Sequence, residues 1–366
     1  MSFRNKTGTA LRNVLESQKV GGAVVVIRNL LEQKKIAPED FSIKEIWEQC
    51  CMHEFGHLVD VNEAVASSAF PKITGELINS KLIMAYDAVP TIGDKLVTVN
   101  KSNVQLEVIA GITAAETPLE VGEGEEYSDS TIAEKFVTAQ NIKYGRMISI
   151  TEEMIYFDKT GQVLNRAQGI GEAAAQYKEK LIVEGIQDIN STVYRPSGVP
   201  TAFYSSTRST GANLITSNPF GESGIEGVMK AAQDMKNDSI GNEDNDYVFI
   251  DYNNATVLVP IQLYTPAWQM AYTVQVPEGN ENALNMFKGK FVPMTSPYIT
   301  QKSATTWYWG NFAKDFWWNE VWPLQVLTQQ VGHEDSFKAD IKARFKVRMY
   351  GSISAVDTKH SFKSTA

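Results

Sequence analysis

An α+β fold is what this sequence predicts: a helical N-terminal arm, an extended β-hairpin, one long helix lying on a sheet, and a second β-rich region. Three observations lead there. An acidic stretch containing Gly and Pro separates two strand-like segments. A helix-periodic run of roughly 28 residues follows at once. The last third of the chain then mixes short apolar strands, turns and clustered aromatics.

The chain has 366 residues, 43% of them hydrophobic and 21% charged, a globular balance able to bury a core. Its net charge of −9 argues against a surface built as a whole to grip nucleic acid, which needs clustered Lys and Arg. The two cysteines, Cys50 and Cys51, are adjacent. That spacing rarely gives an unstrained disulfide, so reduced thiols and a cytosolic birthplace are expected. The N-terminus lacks the apolar centre of a signal peptide, and no run is long enough to span a bilayer.

Residues 1–65 read as a helical arm. Leu11, Val14 and Leu15 mark a short amphipathic helix, Val24 to Leu31 continues an apolar run, and Ser42 with Glu45 forms a capping box before Ile46 and Trp47. Residues 66–94 read as a strand or turn and then a helix, broken by Pro90 and Gly93. Residues 95–150 form the hairpin: an outgoing arm over 95–111 and a returning arm over 134–150. The tip, residues 116–129, holds six acids, Pro118, Gly122 and Gly124, and no Lys or Arg. Such a stretch is a negatively charged loop rather than a packed element. Residues 151–214 hold the long helix, from Gly161 to about Ile189, with Val163, Ala167, Ile170, Ala174, Tyr177 and Leu181 as its apolar stripe.

Residues 215–330 contain a short helix near 224–235, two strands in YVFIDY and ATVLVPIQL, and a helix in TPAWQMAYTV. Five of the seven tryptophans fall between Trp307 and Trp322. Clustered Trp marks a core or an interface. Base stacking would want cations interleaved, and only Lys302 and Lys314 adjoin in sequence. Residues 331–366 read as C-terminal strands, with Lys338, Lys342, Arg344, Lys346 and Arg348 making the most basic stretch of the chain.

The phrases SSAFPKITG, EGEEY, GRMISITEEMI and IGEAAAQ, in this order, resemble the major capsid proteins of tailed bacteriophages. The resemblance covers most of the chain beyond residue 65. It implies a capsid fold with an N-terminal arm, an extended loop (95–150), a spine helix on a peripheral-domain sheet, an axial domain (215–330), and C-terminal strands returning to the peripheral domain. It also implies self-assembly into hexamers and pentamers of an icosahedral head around double-stranded DNA, formed in the host cytoplasm. The implied partners are copies of the chain itself, a scaffolding protein, a portal and a decoration protein, with DNA contacted non-specifically. The acidic residues Glu120, Glu123, Glu125, Glu126 and Asp129 are expected to pair with Arg166, Lys178, Lys180, Arg195 or Arg208 of a neighbouring subunit.

Two alternatives remain. His53-Glu54-Phe55-Gly56-His57 spells HExxH, which on a helix places two imidazoles on one face to hold zinc, with Glu54 as the base. A third ligand is then required, and Glu76 is the nearest candidate. A cellular shell of the same fold, enclosing a cargo enzyme, is the second. There is no cofactor motif: no phosphate loop, no dinucleotide fingerprint and no GxSxG elbow. The expectation is a structural protein and not an enzyme.

Overall fold

The computed structural model describes residues 20–33, 35–36, 43–60, 69–112, 121, 134–157, 162–237, 247–275, 284–330 and 340–366. The chain forms two compact units. The first draws on Met1–Pro90, Lys143–Tyr177 and Trp322–Tyr350, the second on Thr91–Ile142, Lys178–Val321 and Gly351–Ala366.

In the first unit, helix α1 (Val20–Glu32) buries Ile27 and Leu31 against helix α3, and α2 (Ile43–Glu54) buries Ile43, Ile46, Trp47, Cys50 and Cys51. The alternating steps of three and one in α2 make a single apolar face. Helix α3 (Ala69–Ala88) buries Phe70, Ile73, Leu77, Ile78 and Leu82. The sequence suggested a strand or turn at its start. The helix instead begins at Ala69, because Pro71 falls in the first turn, where its missing N–H costs nothing. These helices share one core with the first half of the long helix described below and with Ile148, Ile150, Phe345 and Val347 from strands.

In the second unit, helix α4 (Gly93–Leu96) leads into strand β1 (Thr98–Lys101), which pairs in parallel with Trp317–Glu320. Strands β2 (Leu106–Ile112) and β3 (Glu134–Gln140) form the expected hairpin, antiparallel from Leu106↔Gln140 to Ile112↔Glu134. The returning arm does not stay one strand. It breaks at Asn141, where the side-chain amide donates to Ser102 Oγ (3.1 Å) and the Val104 carbonyl (2.8 Å). Strand β4 (Ile142–Thr151) then joins a different sheet.

Helix α5 (Glu152–Phe157) closes the first unit's core through Ile155 and an edge-on Trp47–Tyr156 contact. The long helix α6 (Gln162–Ile186) has 25 residues, or about 37 Å at 1.5 Å per residue. Its first half buries Val163, Leu164 and Ala167 in the first unit; its second half buries Ile182, Val183 and Ile186 in the second. The stripe therefore holds as far as Ile170 and then departs from expectation. Gly171, Ala175 and Glu179 face inward, while Tyr177 is exposed and Ala174 and Leu181 are only half-buried.

The remaining elements of the second unit are strand β5 (Leu214–Ile215), helix α7 (Glu222–Gln233), strand β6 (Ala255–Leu258), helix α8 (Ile261–Tyr272), strand β7 (Phe291–Met294), helix α9 (Pro297–Lys302), strand β8 (Trp307–Gly310) and helix α10 (Phe312–Asp315). Two long strands follow, β9 (Phe316–Gln330) and β10 (Ile341–Ala355), and the short β11 (Ser361–Ser364) comes last. A five-stranded sheet, ordered β5-β11-β8-β6-β7, carries one core with Trp307, Trp309, Phe291 and Phe362. A second core collects Phe203, Phe312, Phe316 and Trp318. The clustered tryptophans thus serve mainly as core. YVFIDY does not form the expected strand, and the apolar run after Ala255 turns helical at Ile261, immediately after Pro260. Among the described residues, no helix is long and apolar enough to cross a membrane.

Candidate assembly surfaces

The β2–β3 hairpin exposes apolar side chains. Leu106 and Val108 on β2 and Phe136 on β3 stand largely in solvent, while Ile109, Val137 and Ala139 on the opposite face are buried. Alternation along each strand produces this two-faced ribbon. Its base is fixed by both backbone and side-chain hydrogen bonds. Besides Asn141, Thr138 N–H donates to the Arg195 carbonyl (3.1 Å), and Ser352 Oγ donates to Asn141 (2.9 Å).

Glu179, on α6, is a buried carboxylate that accepts the backbone N–H groups of Ile92 (3.1 Å) and Gly93 (2.6 Å) at the start of α4. Burial raises its pKa, and the two N–H donors pull in the opposite direction. The next residue, Lys178, bridges to Asp94 at 2.7 Å and lies over the Trp318 ring at 5.5 Å. A carboxylate on an apolar stripe looks out of place in sequence. Here it caps the helix that opens the second unit.

In the first unit an open groove of about 860 Å³ runs beside α6. Arg166, Ile170, Ala174 and Tyr177 line it from the helix, Tyr144 and Arg146 from β4, and Arg348 from β10. Tyr144 and Tyr177 meet edge-on, with ring centres 5.3 Å apart, and burial followed by the Tyr177 charge raises the Tyr144 pKa.

The expected contact residues fall into three groups. Glu120, Glu123, Glu125, Glu126 and Asp129 lie outside the described residues. Lys178 and Arg208 are engaged within the second unit: Arg208 donates to Thr358 Oγ1 (2.6 Å) and to the carbonyls of Ala202 (3.2 Å) and Phe203 (3.0 Å), and lies over Tyr194. Arg195 and Lys180 are half-buried in the second unit, while Arg166 is exposed on the groove of the first. Sequence reasoning missed Arg146 and Arg348 as neighbours of Arg166, since they come from two other strands. The basic alternation over 342–348 was the one visible signal.

The HExxH motif does not form a zinc-binding helix. Helix α2 ends at Glu54, and Gly56 takes a left-handed conformation (φ 72°) that ends the turn. His57 lies beyond the helix, with Nδ1 2.9 Å from the Phe55 carbonyl. Glu76 is instead bound by the Arg28 guanidinium. Among the described residues, no three of His, Cys, Asp or Glu gather to hold a metal. Cys50 and Cys51 are free and buried, and burial pushes the Cys50 thiol up to about 12, far from the reactive thiolate range.

The described residues form a mixed α+β chain with a two-stranded hairpin and one long helix. Residues 136–364 match the family model for phage capsid protein, and the chain belongs to that family. No curated protein matches the chain. Similar solved structures include the capsid of a native GTA particle (10% identity, 74% of this chain and 88% of that one, TM-score 0.47). A virus-like particle from Pyrococcus furiosus is also similar (10% identity, 79% and 98%, TM-score 0.46). So is a structure from Mycobacterium phage Adephagia (14% identity, 76% and 91%, TM-score 0.48).

Proposed function

We propose that this chain is the major capsid protein of a tailed phage. Copies of it join into hexamers and pentamers of an icosahedral head that encloses double-stranded DNA. The observation that carries the reading is the family match over residues 136–364. The hairpin supports it: an arm with Leu106, Val108 and Phe136 in solvent is stable in water only at a cost that a covering neighbour removes. Each contact is modest, and many contacts per subunit make the shell durable. Assembly in the host cytoplasm, with a scaffolding protein, a portal and a decoration protein as partners, follows from the same reading, and the product is the virion capsid.

The acidic segment 116–129 is the contact that charge would steer. Arg166 and Lys180 suit it better than Lys178 and Arg208, whose charges already serve the second unit. Reversing Glu125 and Glu126 to Lys should reduce shell yield several-fold while the circular dichroism spectrum stays unchanged. Wild-type shells from that variant would remove the tip from the assembly contacts. Negative-stain microscopy of the purified chain tests the wider reading: closed, hollow particles with five- and six-fold capsomers are expected. Near-stoichiometric zinc lost in His53→Ala would favour the peptidase instead, and particles that retain a co-purified enzyme would favour the cellular shell.

A further inference from the structure

Strand β2 leaves one edge of its ribbon open, whereas its partner β3 is engaged on both sides. On the far side of β3, Val137 bridges Pro196, Thr138 N–H donates to the Arg195 carbonyl (3.1 Å), and Ser197 N–H donates to the Phe136 carbonyl (3.0 Å). Phe136 and Thr138 thus turn their backbone groups away from β2. In an antiparallel pair, the residues directly opposite them turn theirs away from β3. Those residues are Ala110 and Val108. The Asn141 N–H, which donates to the Gln105 carbonyl (2.9 Å), fits the same phase: odd-numbered residues of β2 bond to β3 and even-numbered ones face outward. Among the described residues, none outside the hairpin bonds the backbone of Leu106, Val108 or Ala110.

An open edge is a template for a further strand, and proteins guard such edges with Lys, Pro, bulges or brevity. Strand β2 reads LEVIAGI, with no Lys, Arg or Pro. Its one charge, Glu107, lies on the face opposite Leu106 and Val108, and its carboxylate accepts the Ser102 hydroxyl. Leu106 and Val108 are each more than half exposed, and Phe136 extends their face onto β3. The other sheet edges are guarded. Strand β4 exposes Lys143 and Arg146, β7 contains Pro293, β1 is four residues ending in Lys101, and β5 has two residues. Among the described residues, β2 is the one long edge without a guard.

We propose that β2 pairs edge to edge with β2 of a second copy, antiparallel about a two-fold axis, so that two hairpins join into one four-stranded ribbon. Among identical subunits, the unguarded edge that β2 can meet is another β2, and a two-fold contact of this kind is self-complementary. Full-length pairing sets Leu106 opposite Ile112 and Val108 opposite Ala110, and brings the outward backbone groups of both strands into register. Glu107 then falls opposite Gly111, so no like charges meet. The register that opposes Glu107 to Glu107 is shorter and costs that repulsion. The exposed apolar faces of the two hairpins become one strip. This names how a neighbour engages the hairpin, and in that respect the proposal rests on the reading of the chain as a self-assembling subunit.

The test is pyrene excimer fluorescence of the purified full chain carrying Ala110→Cys, labelled with pyrene maleimide and measured over a range of protein concentration. Cys50 and Cys51 are buried, and the Cys50 thiol is pushed up to about 12, so the label goes to the introduced thiol. Paired strands lie about 4.8 Å apart, which brings the two labels within stacking reach. An excimer band that grows with concentration is expected. The same label on Val99→Cys, exposed on the guarded edge β1, should give none. Val108→Pro, added to Ala110→Cys, deletes one outward N–H and no β2–β3 hydrogen bond; it should lower the excimer band about tenfold with the circular dichroism spectrum unchanged. Val108→Lys keeps the N–H and installs a guard, and should act in the same direction. No excimer, an equal excimer from Val99→Cys, or an excimer indifferent to both changes at Val108 overturns the proposal. Light scattering of the same samples separates the two readings. Excimer without shells supports the pairing and counts against the shell; shells without excimer keep the shell and overturn the pairing.

Discussion

Asp315 shows how much one side chain can say. It ends α10 fully buried, and its Oδ2 accepts the His360 N–H at 3.1 Å. Burial raises its pKa well above 3.8; Ser361, the His360 N–H and Lys359 pull it down, and Asp357 pushes it up. With the folded pKa above the unfolded one, the native state binds the proton more tightly. This contribution is complete below 3.8 and is lost as pH rises through the folded value. Relative to Asp315→Asn, the wild type should therefore gain about 1.4 kcal/mol for each unit of pH lowered across that window. Urea unfolding of both proteins at several pH values measures the difference. His360, whose pKa burial lowers, opposes the trend below its ordinary 6.5, but it is common to both proteins and cancels. Parallel curves would mean that Asp315 is charged in the folded chain.

At the scale of the element, α6 separates what a sequence can reveal from what it cannot. Its existence and length follow from period and composition, and the structure gives Gln162–Ile186. The inward face over its second half did not follow, because the residues there are Gly171, Ala175 and Glu179, none of which scores as a hydrophobic anchor. Two of them are inward for a reason outside the helix: Glu179 caps α4, and Gly171 admits the backbone of α3. A Cβ at Gly171 would lie 2.4 Å from the Leu82 carbonyl oxygen, whereas one at Gly169 would meet nothing within 4 Å. Gly171→Ala should therefore destabilise the protein by about 1–2 kcal/mol, the overpacking cost less the gain in helix propensity. Gly169→Ala should stabilise it by about 0.5–1 kcal/mol. Denaturant midpoints for the pair test the packing directly, and equal shifts would contradict it. The hairpin was legible for the same reason as the helix, since strand alternation and a Gly- and Pro-containing tip are local signals. The break at Asn141 was not, because it depends on Ser102 and Ser352, far away in sequence. HExxH misled for the converse reason: the motif is intact in sequence, but Gly56 ends the helix before the second histidine is in register.

For the whole molecule, the account joins a phage capsid family match, an apolar hairpin in solvent, and a long helix with an open, cation-lined groove beside it. The expected cation partners of the acidic tip were chosen from the sequence one by one. In the fold, Lys178 and Arg208 are already committed to internal contacts, which leaves Arg166, Lys180 and Arg195 as the candidates. Distance along the chain hid this, because the groups that occupy Lys178 and Arg208 are Asp94 and Thr358. The central claim is that the molecule is one piece of a closed shell. Light scattering of the purified full chain across a broad range of concentration and salt tests it most directly. The account predicts a discrete species of megadalton mass. A particle that stays at 40.6 kDa throughout would contradict it.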